Sequence, residues 1–210
     1  MDIRIPFEKT KHLFGILEIP SSAIGIVLFA HGSGSSRLSL RNQFVARALQ
    51  KHHLATLLFD LLTQDEEAID NTTAELRFNI PMLSERLVLA TRYILKQHPE
   101  LPIAYFGAST GAAAALTAAA QIGETVRAVV SRGGRPDLAS DALPRVISPT
   151  LLIVGGLDSQ VIFLNQLALN NLNCIKELRI IEGASHLFEE NGKMELVTQL
   201  AQKWFTQYLS

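Results

Sequence analysis

Along this 210-residue chain, short apolar runs alternate with longer stretches in which apolar residues recur every three or four positions. Ile24 to Phe29, Ala55 to Phe59, Ile103 to Phe106, Ala128 to Val130, Leu151 to Val154 and Leu178 to Ile181 are near-continuous runs of strand length. A strand with one wet face would alternate apolar and polar residues, so these runs read as strands buried on both faces, as in a parallel sheet. Helical patterns are expected from about Leu40 to His52, from about Thr73 to Gln97 with Pro81 kinking or restarting the helix, and after Ala112. Two more are expected near Val161 to Asn171 and from Lys193 to Leu209. Ahead of them, Arg4 to Glu8 and His12 to Ile19 are expected to pair as an antiparallel hairpin. The expected architecture is one α/β domain over residues 1–210, a mostly parallel, doubly wound sheet with helices on both faces.

One strand–helix junction carries chemistry. Ile103-Ala104-Tyr105-Phe106 runs into Gly107-Ala108-Ser109-Thr110-Gly111, and an alanine-rich helix follows at once. A serine there must turn sharply, in a strained backbone conformation that points its hydroxyl outward. The residues two before and two after it crowd the turn, so Gly107 and Gly111 are the residue types that fit. The pattern and its strand-before, helix-after setting resemble the nucleophile elbow of α/β-hydrolases. The competing reading is a serine in an ordinary turn.

A serine nucleophile needs a base to take its proton and an acid to orient that base. In α/β-hydrolases the acid and the histidine follow the serine in chain order, each after a later strand. Leu151 to Val154 breaks at Gly155-Gly156-Leu157-Asp158, and Leu178 to Ile181 leads to Glu182-Gly183-Ala184-Ser185-His186. His186 is the only histidine downstream of the elbow. Asp158 is the acid that fits this order, with Asp60 and Glu182 as competitors; Asp60 precedes the elbow. The early strand ends in His31-Gly32-Ser33-Gly34-Ser35-Ser36, the turn where this fold places one oxyanion donor. The backbone N–H groups of Ser33 and Thr110 are accordingly assigned as the oxyanion pair, and His31 reads as a group that shapes the turn by hydrogen bonding.

These pieces together resemble the dienelactone-hydrolase-like group of α/β-hydrolases over nearly the whole chain. The resemblance rests on His31 to Arg37, Leu58-Phe59-Asp60-Leu61-Leu62-Thr63, Gly107 to Gly111, Ser131-Arg132-Gly133-Gly134-Arg135-Pro136-Asp137 and Gly183 to Phe188. It implies the α/β-hydrolase fold, a Ser109–His186–Asp158 triad and no cofactor. Similar sequences also occur joined to phosphoribosyltransferase-like domains. Dienelactone hydrolases carry cysteine as nucleophile where this chain has Ser109, which points toward ordinary ester chemistry.

Composition narrows the classes. With 48% hydrophobic and 19% charged residues the chain is globular, and a formal net charge of −1 gives no support for nucleic-acid or anionic-membrane binding. A single cysteine, Cys174, excludes an internal disulfide and is expected to be buried and inert. No secretory signal or membrane-spanning run is visible, so a cytoplasmic protein is expected. No His, Cys or carboxylate spacing resembles a metal site. Only 18 positions, Ser131 to Ser148, separate the strand after the elbow helix from the next, which leaves no room for a cap domain. The acidic segment Asp60 to Asp70 reads as a solvated approach to a helix, with a loop flanking the cleft as the other reading.

Arg132 and Arg37 are candidate substrate-binding residues, since a guanidinium at the carboxyl end of a parallel sheet can clamp an anion. Each can equally tie its own loop, and Arg135 is expected to do so, to Asp137, Asp141 or the acidic segment. The chain therefore reads as a serine hydrolase of ester-type bonds in a small substrate. Thioester, lactone or peptide hydrolysis on the same triad stays open, as does a non-catalytic binding protein on this fold. Oligomeric state is not fixed by the sequence.

Overall fold

Each apolar run becomes a strand, and all but the last find a dry layer on both sides. Leu178 to Ile181, expected to be buried on both faces, instead forms the edge strand of the sheet, where Arg179 and Ile180 stay exposed. The computed structural model describes residues 1–8 and 10–210. β1 (Asp2–Pro6) and β2 (His12–Glu18) form the hairpin, with Arg4 opposite Phe14. β3 (Gly25–Ala30), β4 (Leu54–Phe59), β5 (Ile103–Ala108), β6 (Val126–Arg132), β7 (Thr150–Gly155) and β8 (Lys176–Ile181) follow. They make one eight-stranded sheet in the order β1-β2-β4-β3-β5-β6-β7-β8. β2 joins β4 antiparallel, and every pairing from β4 to β8 is parallel.

Consecutive strand residues point to opposite faces, and both faces are covered. On one, Val27, Phe29, Phe106 and Val130 pack with α1 (Leu40–Gln50) and α6 (Lys193–Leu209) through residues such as Leu49 and Phe205. On the other, Leu28, Tyr105 and Val129 meet α3 (Ile80–Gln97) and α4 (Thr110–Ile122) through residues such as Leu87 and Leu116, and Ala168 of α5 (Ser159–Asn171) joins that layer. Burial on two faces is why these strands carry no polar alternation. Between β6 and β7 stands only the 3-10 segment Pro136–Arg145, and no cap domain is inserted. The architecture is the mostly parallel, doubly wound α/β-hydrolase sheet.

Two expectations are corrected between β4 and α3. The acidic stretch is a helix, α2 (Gln64–Thr73). Thr63 Oγ1 accepts the Glu66 N–H at 3.2 Å while the Glu66 carboxylate accepts the Thr63 N–H at 2.8 Å, so the two residues cap the first turn reciprocally. Asp65, Glu66 and Glu67 there also complement the positive end of the helix dipole. The helix expected from Thr73 onward is instead broken by Ala74 at φ 57° and a 3-10 turn, Leu76–Phe78. Helix α3 starts only at Ile80, where the Asn79 side chain accepts the Met82 N–H at 3.2 Å and Pro81 occupies the first turn.

Candidate active site

The turn between β5 and α4 holds Ser109 at φ 51°, ψ −123°, a region that L-residues avoid at a cost of roughly 1–3 kcal/mol. Surrounding contacts over-determine it. The Ser109 N–H donates to Arg132 O at 3.3 Å, and its carbonyl accepts the N–H groups of Ala112 at 3.1 Å and Arg135 at 3.0 Å. Both flanking glycines are needed for close approach. A Cβ on Gly107 would strike Ala112 Cα, and one on Gly111 would strike the carbonyl oxygen of Ala30 at the end of β3. The elbow is thus wedged between the ends of β3 and β6.

Asp158 and His186 come to the same end of the sheet by different routes. Asp158 follows β7 and caps α5, its Oδ1 accepting the Val161 N–H at 3.4 Å. His186 lies in the loop after β8, and its Nδ1 donates to Asp158 Oδ2 at 2.7 Å. The loop is anchored by Glu190, which accepts the Ser185 N–H at 3.0 Å. The Ser185 side chain first, then the backbone N–H groups of Glu190 and Ser185, hold the Glu190 carboxyl below its ordinary pKa. Gly133 sits beneath His186: a Cβ there would come within 3.0 Å of the histidine carbonyl and 3.6 Å of its Cε1. The segment Arg132–Arg135 therefore touches both the elbow and the histidine. Among the described residues, neither the Ser109 hydroxyl nor His186 Nε2 has a hydrogen-bond partner.

The turn after β3 closes the other side. A Cβ on Gly32 would lie 2.9 Å from Ser109 Cβ, so the turn runs directly against Ser109. His31 fixes it. Its Nε2 accepts the Leu61 N–H at 3.0 Å, so the neutral ring carries its proton on Nδ1 and donates it to Gly32 O at 3.0 Å. Burial holds its pKa below the ordinary 6.5, against the opposing pull of the Gly32 bond and of Asp60 and Glu67. Ser33 and Thr110 face one another, with their hydroxyl oxygens 3.0 Å apart. Neither residue's N–H meets a backbone acceptor among the described residues.

Ser33 and Thr110 open onto a small cleft whose far wall is built by α2 and the 3-10 turn, through Glu67, Asn71 and Arg77. The wall is clasped by Asp70, which accepts the N–H groups of Leu76 at 2.8 Å and Arg77 at 2.9 Å and Arg77 Nε at 2.8 Å. Burial raises the Asp70 pKa, but its hydrogen bonds and ion pair with Arg77 outweigh that and leave it below the ordinary value. Sequence reasoning missed Arg77 and this wall. The only available signal was the capping pair Thr63 and Glu66.

The two candidate anion-binding arginines are engaged elsewhere. The backbone N–H of Arg37 donates to Asp60 Oδ1 at 2.7 Å, and its guanidinium pairs with the same carboxylate. Arg132 is 6% exposed, on the face covered by α1, where its Nη2 donates to Asn42 Oδ1 at 3.2 Å. Burial, then the nearby Arg41, lowers its pKa to about 10. Arg135 ties its own loop, pairing with Asp137, one of the three acidic partners open to it, at 2.8 Å. Cys174 is half-buried rather than buried, and desolvation raises its pKa. Among the described residues, no helix is long and apolar enough to cross a membrane.

Comparison with known proteins agrees with this geometry at the level of fold and family. No family model matches the chain. The crystal structure of a dienelactone hydrolase from Anabaena variabilis is 56% identical and superposes with a TM-score of 0.97, over 100% of this chain and 98% of that one. An α/β serine hydrolase without lid from Xanthomonas campestris, 17% identical, superposes at 0.77 over 99% of this chain and 94% of its own, a likeness of fold alone. Curated relatives from two strains of Mycobacterium tuberculosis are 52% identical over 197 residues, 93% of this chain, and carry the provisional name of phosphoribosyl transferase. The chain spans 44% of the length of those relatives.

Proposed function

This chain belongs to the dienelactone-hydrolase family of α/β-hydrolases, and on that premise we propose that it is a serine hydrolase cleaving ester-type bonds in small substrates. The observation that carries the reading is Ser109 held at positive φ on the sheet end where His186 Nδ1 donates to Asp158 at 2.7 Å. Residues 1–210 act in it as one domain.

In the mechanism, Ser109 Oγ attacks the carbonyl carbon while His186 Nε2 takes its proton. Asp158 holds the other ring N–H, fixing the tautomer and stabilising the imidazolium that forms. The N–H groups of Ser33 and Thr110 receive the developing oxyanion, an interaction worth a few kcal/mol of barrier per donor. His186 then protonates the leaving alcohol, the acyl-enzyme forms, and a water deprotonated by His186 releases the acid. The protein supplies nucleophile, base and donors itself. A narrow cleft beside Thr110, floored by Leu61, Leu62 and Leu83, favours small acyl groups. With Arg37 and Arg132 engaged elsewhere, neither is assigned to a substrate anion.

The phosphoribosyl part of the relatives' name is assigned to the length of those proteins that this chain does not match. We place the protein in the cytoplasm, on its single unpaired cysteine. The test is a panel of ester, thioester, lactone and amide substrates of graded acyl length, run with wild type and Ser109→Ala. Turnover of short-chain esters by wild type and none by the variant is the expected result. Equal turnover by both would reject the reading.

A further inference from the structure

The oxyanion turn contains one more proton than the two backbone amides supply. Ser33 Oγ and Thr110 Oγ1 lie 3.0 Å apart, and neither makes another hydrogen bond among the described residues. Each hydroxyl has one proton to give, and a single bond between them uses only one. Burial decides which. Thr110 is 3% exposed and has no other acceptor, so its proton goes to Ser33 Oγ; Ser33 is exposed at the mouth of the cleft. The Ser33 O–H is left unclaimed, in the cleft that both residues line. It is also near the chemistry: Gly32, one residue before Ser33, abuts Ser109 Cβ, and Thr110 follows Ser109 directly.

We propose, resting on the serine-hydrolase reading, that the Ser33 side chain is a catalytic residue that donates a third hydrogen bond to the oxyanion, with the Thr110 hydroxyl as the positioning residue that aims it. Accepting a bond from Thr110 polarises the Ser33 hydroxyl and strengthens it as a donor. It also restricts the hydroxyl rotor, so the donor is in place before charge develops. No bond to this proton is needed by the planar ester, so its effect falls on the transition state and not on substrate binding.

The experiment compares Ser33→Ala, Thr110→Val, Thr110→Ser and the double variant Ser33→Ala/Thr110→Val, all of which keep both backbone amides. With p-nitrophenyl acetate, Ser33→Ala is expected to lose roughly 10- to 100-fold in kcat with KM within about twofold, less than loss of a sole donor because two amides remain. Affinity for a trifluoromethyl ketone, which forms a tetrahedral oxyanion on the serine, should fall by the same factor. Thr110→Val should lose less, Thr110→Ser should restore wild-type turnover, and the double variant should be no worse than Ser33→Ala. Unchanged kcat in Ser33→Ala, additive losses in the double variant, or a change confined to KM would each overturn the proposal. Melting temperatures identify a variant that is merely unfolded, and Ser33→Cys, with a weaker donor of similar size, then provides the intermediate kcat that the proposal requires. Failure of the underlying reading shows separately, as wild-type activity that survives Ser109→Ala.

Discussion

His186 Nδ1 stands 2.7 Å from Asp158 Oδ2, although 28 residues and the whole of α5 and β8 separate the two in the chain. The contact forms because β7 and β8 are parallel neighbours, so the loops that leave their carboxyl ends emerge side by side. Leu157 N–H, donating to Ala184 O at 3.0 Å, fastens the same two loops one residue before Asp158 and two before His186.

That relationship predicts a separation of activity from stability. Asp158→Asn keeps an oxygen to cap α5 at Val161 but reverses what His186 Nδ1 can meet. Ester turnover should fall by roughly 10⁴, the size of effect known for a lost orienting carboxylate, with melting temperature little changed. Asp60→Asn should show the opposite pattern, since Asp60 is occupied with Arg37. Turnover that survives Asp158→Asn and vanishes in Asp60→Asn would transfer the role to Asp60.

Gly111 predicts a failure of folding rather than of chemistry. A methyl group there collides with the carbonyl oxygen of Ala30, a backbone atom in the central strand β3 that cannot move aside. Gly111→Ala should destabilise by at least about 2 kcal/mol, within the overpacking range, as measured by urea denaturation. A midpoint equal to wild type would show that the elbow is looser than described.

His31 predicts a pH effect on stability. Its pKa in the fold is depressed, chiefly by burial, while the unfolded chain protonates near 6.5. The neutral ring's contribution is therefore present above pH 6.5 and is lost as pH falls below it, because the unfolded state then binds more protons. The groups that face it, Asp60 and Glu67, oppose the depression without cancelling it. Between pH 7.5 and 5.5, wild type should lose more melting temperature than His31→Gln. Parallel losses would mean that His31 does not titrate in the unfolding reaction.

Arg132 predicts indifference to substrate charge. It is buried under α1 and bonded to Asn42, so Arg132→Met should alter KM for a carboxylate-bearing ester and for its neutral analogue by the same factor. A selective rise for the anionic ester would return Arg132 to the cleft.

The parts of the fold that were legible from sequence are those where burial forces the residue type. The strands β3 to β7 and α6 were found within a few positions because they are apolar on every side or at helical spacing. By contrast β8, an edge strand left largely exposed, was found from its short Leu178 to Ile181 run and read as more buried than it is. Gly107 and Gly111 were readable because only glycine fits between the backbones. Helix α2 was not, since it buries only Asp70 and is held by caps and charge, without an apolar stripe to reveal it. The facing of Arg132 was hidden for a related reason: β6 is buried on both sides, so its sequence carries no alternation to show which side chains point toward α1. The cleft wall at Arg77 depends on a long-range clasp to Asp70 that no local pattern encodes.

The central claim is that Ser109 is the nucleophile of this site. The most direct measurement is covalent labelling of the folded protein with a fluorophosphonate, followed by peptide mass spectrometry. Modification of Ser109 is expected in wild type, with none in Ser109→Ala, labelling slowed by at least about 100-fold in His186→Ala, as for a base contributing general-base catalysis, and loss of esterase turnover in parallel. Labelling at another residue, or at none in folded wild-type protein, would contradict the account.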